Sequence, residues 1–116
     1  MPGKQVALTR VIKIAIAFAA LGDPVRLAIF ARLCGDGPLP TVKLKQETKL
    51  SRQGLTKHLW ILADAGLVRS ARVGRDRSWQ IDTNQLANAR AYLDQISVQW
   101  DVRLERLRTL VEDDAG

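Results

Sequence analysis

Cysteine and histidine are nearly absent from this chain of 116 residues: each occurs once, as Cys34 and His58. A lone cysteine excludes an intramolecular disulfide and fits a reducing compartment, so the cytoplasm is the expected location. One cysteine and one histidine supply neither a thiolate or imidazole cluster for a metal nor a Cys/His pair for nucleophilic catalysis. A glycine-rich phosphate-binding loop is also missing, and no enzymatic activity is expected. Long apolar runs are missing too. The longest, Ile14 to Leu21, has eight residues, against the ~20 needed to span a bilayer. Lys4, Arg10 and Lys13 precede it, and Ala17-Phe18-Ala19 imitates a signal cleavage site, but that site falls inside the run rather than after it. Neither a secretion signal nor a membrane partner is expected.

Acidic residues are the minority: 12 against 18 Lys and Arg, for a formal charge of +6 and a pI near 10.1. That balance favours an anionic partner, nucleic acid above all. The excess is local. Residues 41–80 hold nine basic residues against three acidic ones, whereas residues 81–116 hold four against seven. A footprint on nucleic acid is therefore expected in the middle third. The length suits one domain spanning residues 1–116, with a core of its own.

Periodicity divides the chain. Residues 5–21 are apolar on nearly all sides (Val6, Leu8, Val11, Ile12, Ile14, Ile16, Phe18, Leu21), which predicts a helix buried against more than one neighbour, a second subunit among them. Asp23 as N-cap and Pro24 at the first helical position start a second helix running to about Leu33. Its apolar stripe reads Leu27, Phe30, Ala31 and Cys34, which makes Cys34 a small core residue rather than a thiol sensor. Gly35-Asp36-Gly37-Pro38 breaks the pattern. Thr41 to Lys49 is a short helix candidate with Val42 and Leu44 apolar.

Ser51 to Gly66 is the best-marked helix. Ser51 is a favoured N-cap and Gly66 a favoured stop. Leu55, Leu59 and Leu62 share one face, while Gln53, Thr56, Lys57 and Trp60 point broadly the other way. Beyond it, residues 67–82 read as a hairpin: strand Leu67 to Val73, turn Gly74 to Asp76, strand Arg77 to Ile81. From Thr83 to about residue 113 apolar residues recur every three or four positions for about seven turns. That stripe is longer than one small domain can cover, so it predicts pairing with another subunit. Glu112-Asp113-Asp114 is expected to fray.

Two helices with a tight turn over residues 41–65, followed by a basic hairpin, make a winged helix-turn-helix: a mainly α fold with a small β-hairpin wing. A helix fits the major groove, where Gln pairs bidentately with adenine and Thr offers its methyl to thymine. Gln53 and Thr56 are thus assigned to base edges, Lys57 to a base or phosphate, and Arg52 to guanine or a phosphate. Ser51 is a cap that can add a phosphate contact. His58 tilts toward Leu55 and Leu62 and is divided between DNA contact and a bond across the turn. Arg72, Arg75 and Arg77 near the hairpin tip suit phosphate or minor-groove contact; Lys43, Lys45 and Lys49 are weaker backbone candidates. Trp60 receives no role.

Three segments, Ala20 to Phe30, Leu50 to Ser70 and Gly74 to Asp82, resemble ArsR-type bacterial repressors. The resemblance covers roughly residues 15–110, and the middle segment is the most specific. It implies a cytoplasmic homodimer on a pseudo-palindromic double-stranded DNA operator, with the helices at 5–21 and 83–113 forming the dimer interface. Many such proteins ligate metal through cysteines on the helix before the recognition helix, or through Asp and His on the last helix. Here Thr41 to Lys49 has no Cys and the segment after Thr83 no His. Asp94, Asp101 and Glu105 are interleaved with Arg90, Arg103, Arg106 and Arg108 and read as ion pairs. No metal and no cofactor are expected, and a small-molecule or protein effector stays open. Two departures bear on local packing: Lys45 stands where a small residue is usual, and Gly54 lies inside the recognition helix at a cost of about 1 kcal/mol relative to Ala. The alternative of another class is a winged-helix protein-interaction module that binds an acidic partner.

Overall fold

A computed structural model describes residues 2–115. Five helices and three short strands follow one another: α1 (Pro2–Leu21), α2 (Pro24–Asp36), β1 (Leu39–Pro40), α3 (Thr41–Gln46), α4 (Arg52–Asp64), β2 (Val68–Val73), β3 (Asp76–Ile81) and α5 (Thr83–Ala115). The core is where one face of each meets the others. Leu55, Leu59 and Leu62 of α4 are all but inaccessible, packed with Ala17 and Ala20 of α1, Phe30 and Leu33 of α2, Leu44 of α3, and Trp79 of β3. Full burial of each leucine contributes about 1.5–3 kcal/mol, which anchors α4 firmly in the core.

The caps are those the sequence predicts. The Asp23 carboxylate accepts from the Val25 and Arg26 amides at 2.9 and 3.1 Å, and the Ser51 hydroxyl accepts from the Gly54 amide at 3.0 Å. Gly66 ends the α4 turn at φ +77°, a conformation that glycine adopts freely. A Cβ there would stand 2.7 Å from Gln85 Cγ at the start of α5, so the same glycine lets the last helix approach.

Several boundaries differ from expectation. α2 runs on to Asp36, and the chain turns only at Gly37, which takes φ +75° and donates its amide to Leu33. Its buried stripe is Ile29, Phe30 and Leu33, one residue out of step with the predicted one; Leu27 and Ala31 are exposed. Cys34 is likewise exposed, not a core residue, although desolvation by its surroundings pushes its thiol pKa up. α3 stops at Gln46, shorter than the predicted Thr41 to Lys49, because the chain tightens into a turn in which the Glu47 and Thr48 amides donate to Leu44 and Lys45.

The sheet has a third strand that periodicity does not reveal. β1 pairs antiparallel with β3, Leu39 opposite Trp79 and Pro40 opposite Ser78, giving the order β1-β3-β2. β2 and β3 form the wing, in register from Val68 opposite Ile81 to Val73 opposite Asp76. Gly74 and Arg75 are the two-residue loop, with positive φ only at Gly74, as in a type II′ turn.

α1 and α5 lie against each other, and both keep apolar residues in the open. Ile14, Ala17 and Ala20 are buried, whereas Leu8, Val11, Ile12, Ile16 and Phe18 are exposed; the Val6 side chain lies outside the described residues. On α5, Ala89 is buried while Leu93, Trp100, Leu104, Leu107, Leu110 and Val111 are exposed. The expected fraying at Glu112 to Asp114 is not found, since helix continues to Ala115. At 1.5 Å per residue α5 is about 50 Å long, in a molecule 70 Å along its longest axis. Among the described residues no single helix is long and apolar enough to cross a membrane.

Candidate nucleic-acid interface

α4 turns its polar face outward. Arg52, Gln53 and Lys57 are exposed and Thr56 is half-buried beside them; with Ser51 and Trp60 they line one open surface. Thr56 donates its hydroxyl hydrogen to the Arg52 carbonyl at 2.8 Å, which leaves its methyl group and oxygen lone pairs for other contacts. Gly54, the unusual glycine of this helix, has its missing Cβ position 3.2 Å from the Ser51 hydroxyl. A side chain there would crowd the cap, so the helix-propensity cost is offset by an undisturbed N-terminus.

The wing stands across from this face. Between them lies a cleft of about 290 Å³ bordered by Arg52, Thr56 and Trp60 on α4 and by Arg72, Arg75, Asp76 and Arg77 on the wing, with Thr41 and Trp79 also lining it. Arg72 and Arg77 are directly opposite on adjacent strands. Like charges so placed repel, and the lining contains four arginines against one carboxylate, a balance suited to an anion.

Asp76 organises the base of the wing. Its carboxylate accepts from the Val42 amide at 3.2 Å and from its neighbour Arg77 at 2.7 Å, and lies 4.0 Å from Arg52 Nη2. Partial desolvation pushes its pKa up, but the two amides, the Thr41 hydroxyl and the Arg52 charge outweigh that and hold it below the ordinary value of 3.8. Trp79, fully buried, donates its indole N–H to Thr41 Oγ1 at 2.8 Å, and the Thr41 hydroxyl donates on to the Arg77 carbonyl at 3.2 Å. The wing is thereby tied to the first turn of α3.

Not every predicted site residue joins the open face. His58 is half-buried and faces α2, where its Nδ1 lies 3.4 Å from Arg26 Nη1. A guanidinium only donates, so Nδ1 is the acceptor in this contact. Arg26 also donates to the Ala20 carbonyl at 2.7 Å, and this cluster joins α1, α2 and α4. Arg77, on β3 as the hairpin reading has it, is half-buried, donating to Ser70 Oγ at 3.1 Å, with its guanidinium 5.2 Å from the Trp60 ring centroid. Arg72 and Arg75 are exposed. Thr41, Asp76 and Ser70 were not singled out by the sequence. An Asp two residues after the hairpin glycine and a Thr just after a proline are the available signals, and neither names its partner.

Among the described residues there is no group of three or more His, Cys, Asp or Glu side chains placed to hold a metal ion. On the last helix the ion pair found is Arg108 with Glu112, 3.0 Å apart.

Comparison with known proteins gives the arrangement a family. A model described as a helix-turn-helix domain matches residues 21–71. The HTH-type transcriptional regulator Rv2034 of Mycobacterium tuberculosis is 38% identical over 78 residues, covering 67% of this chain and 72% of that one. An ArsR-like transcriptional regulator from Rhodococcus sp. RHA1 superposes with a TM-score of 0.75 at 32% identity, covering 86% of this chain and 93% of that structure. A homodimeric winged helix-turn-helix DNA-binding domain, Mb0332 from Mycobacterium bovis, shares the fold, with a TM-score of 0.61 at 22% identity, and covers 83% and 85%. By its motif, its identity to these regulators and its architecture, the chain belongs to the ArsR-type winged helix-turn-helix transcriptional regulators.

Proposed function

We propose that this DNA-binding transcriptional regulator is a cytoplasmic homodimeric repressor that holds an inverted-repeat operator, one α4 helix in each of two major-groove segments about one helical turn apart. Gln53 and Thr56 read base edges, Lys57 a base or phosphate, and Arg52 guanine or a phosphate. Arg72, Arg75 and Arg77 of the wing meet the backbone or the adjacent minor groove. Ser51 serves first as the helix cap, and His58 holds α4 against α2 rather than touching DNA. The observation that carries the reading is that Arg52 and Thr56 of α4 border one cleft with the wing arginines, while Gln53 and Lys57 line the adjoining open surface of the same helix. The dimer is supported by the exposed apolar residues of α1 and α5 and by the homodimeric state of the Mycobacterium bovis relative.

Electrophoretic mobility shift with DNA from upstream of the chain's own gene tests the proposal. Specific retardation is expected, with Gln53→Ala losing discrimination against single-base operator changes while keeping affinity for unrelated DNA. A complete failure to bind duplex DNA would favour the protein-interaction alternative, in which the basic face and Trp60 dock an acidic protein.

A further inference from the structure

Trp60 is a large aromatic residue on the helix face expected to be polar, and it is 40% exposed. Its ring meets that of Trp79 edge-on, centroids 5.1 Å apart and planes at 80°, a favourable arrangement of two aromatic quadrupoles. The Arg77 guanidinium lies over the Trp60 ring, 5.2 Å from its centroid, within cation–π range. Arg77 is thus carried on β3, bonded to Ser70 of β2, and stacked on Trp60 of α4. No other arginine of the cleft has contacts to both the wing and the recognition helix of this kind: Arg72 and Arg75 are exposed, and Arg52 makes only the long 4.0 Å approach to Asp76. The cleft, about 290 Å³, far exceeds the ~10–15 Å³ that a single water needs.

We propose that Trp60 is a positioning residue that locks the wing to the recognition helix and presents the Arg77 guanidinium to one DNA backbone phosphate seated in the cleft between them. This rests on the DNA-binding reading above. Trp60 fixes the distance between the groove-reading helix and the wing, so the two engage DNA as one unit. It also restrains Arg77 before DNA arrives, which lowers the ordering cost of the contact.

The test is a double-mutant cycle in the full-length protein, reading the salt dependence of binding to a mixed-sequence duplex about three helical turns long. Arg77→Ala is expected to reduce the slope of log K against log salt by about 0.9 per subunit and to weaken binding roughly fivefold to tenfold. Trp60→Leu retains every charge, yet is expected to lose a similar share of the slope, and the double variant is expected to be no worse than either single one. Trp60→Phe keeps an aromatic face and is expected to recover most of the binding. Thermal unfolding of each variant measures the folded fraction, and Trp60→Met, flexible and without an aromatic face, carries the test in place of the Leu variant if that one folds poorly. A full wild-type slope in Trp60→Leu, or additive losses in the double variant, overturns the proposal while leaving DNA binding intact. Absence of salt-dependent binding by the wild type overturns both. Inorganic phosphate without DNA is expected to leave tryptophan emission unchanged; a saturable shift would assign the cleft to a free phosphate-bearing ligand and overturn the backbone assignment.

Discussion

Trp79 and Thr41 meet at 2.8 Å, indole nitrogen to hydroxyl, in a site where both residues are buried. The bond joins the middle strand of the sheet to the first residue of α3, and the same hydroxyl donates to the Arg77 carbonyl. Thr41→Val keeps the shape but removes the acceptor, leaving a buried N–H unpaired at a cost of about 1–3 kcal/mol. A lower urea midpoint at equal chain concentration is the expected result, with Thr41→Ser close to wild type. A midpoint unchanged in the valine variant would show that this bond does not hold the wing.

Gly66 is the junction between α4 and α5. Gly66→Ala forces a side chain to φ +77° and drives its Cβ against Gln85 Cγ, so it is expected to destabilise by more than ~1 kcal/mol. Gly54→Ala is expected to change little, because the ~1 kcal/mol gained in helix propensity is offset by crowding of the Ser51 hydroxyl at 3.2 Å. Thermal denaturation of the two variants side by side checks the contrast. Equal effects would refute it.

The contrast also shows what the sequence could convey. The α4 limits followed from Ser51 and Gly66, and its core face from the spacing of Leu55, Leu59 and Leu62, because caps and periodicity are local properties. The α2 face was misread because Leu27, Phe30, Ala31 and Cys34 and the true stripe Ile29, Phe30 and Leu33 are both helically spaced. Only the packing of α1 and α4 chooses between them. β1 is two residues long, one of them Pro40, and has no period to detect. Trp60 was legible as outward-facing, but its partners Arg77 and Trp79 belong to another element. The same holds for Arg77: the sequence puts it at the start of the returning strand, but its partners Ser70 and Trp60 lie on other elements.

Acid should loosen the wing. The Asp76 pKa is held below its ordinary 3.8, so its stabilising contribution is complete above that value and is lost as pH falls through the lower folded-state pKa. Asp76→Asn is expected to lower stability at pH 7 and to flatten part of the decline below about pH 4. Some decline should persist. The Arg32 bond holds Glu47 below 4.5, and the Arg26 amide heads the contacts that hold Asp23 below 3.8. Urea midpoints at pH 7 and pH 3 measure both effects, and parallel pH profiles for the two proteins would contradict the assignment.

Arg75 occupies the second position of the wing loop and is exposed, free of the contacts that fix Arg77. If it meets a phosphate, Arg75→Ala reduces the salt slope by about 0.9 per subunit with similar loss on all sequences. Stability should not change, since the side chain is exposed. A loss confined to one operator sequence would instead place Arg75 on a base edge in the minor groove.

The last prediction concerns assembly. Trp100, Leu104, Leu107 and Val111 follow one another at spacings of four, three and four, and each is more than half exposed. That is the heptad seam of a coiled coil, carried on the end of α5. A second copy presents the same row, so in the proposed homodimer a two-fold pairing of α5 with its counterpart would cover both. Leu107→Glu places two carboxylates in that seam by symmetry. It should weaken the dimer at least about a hundredfold, or ~2.7 kcal/mol, while leaving the monomer folded, because Leu107 lies outside the core. Sedimentation velocity should then show a shift toward monomer, and affinity for an inverted repeat should fall more than affinity for a single half-site. A Leu107→Glu protein that remains dimeric at the same concentration would move the interface away from this seam, leaving the exposed residues of α1, Leu8, Ile12 and Ile16, as the place to introduce the next charge.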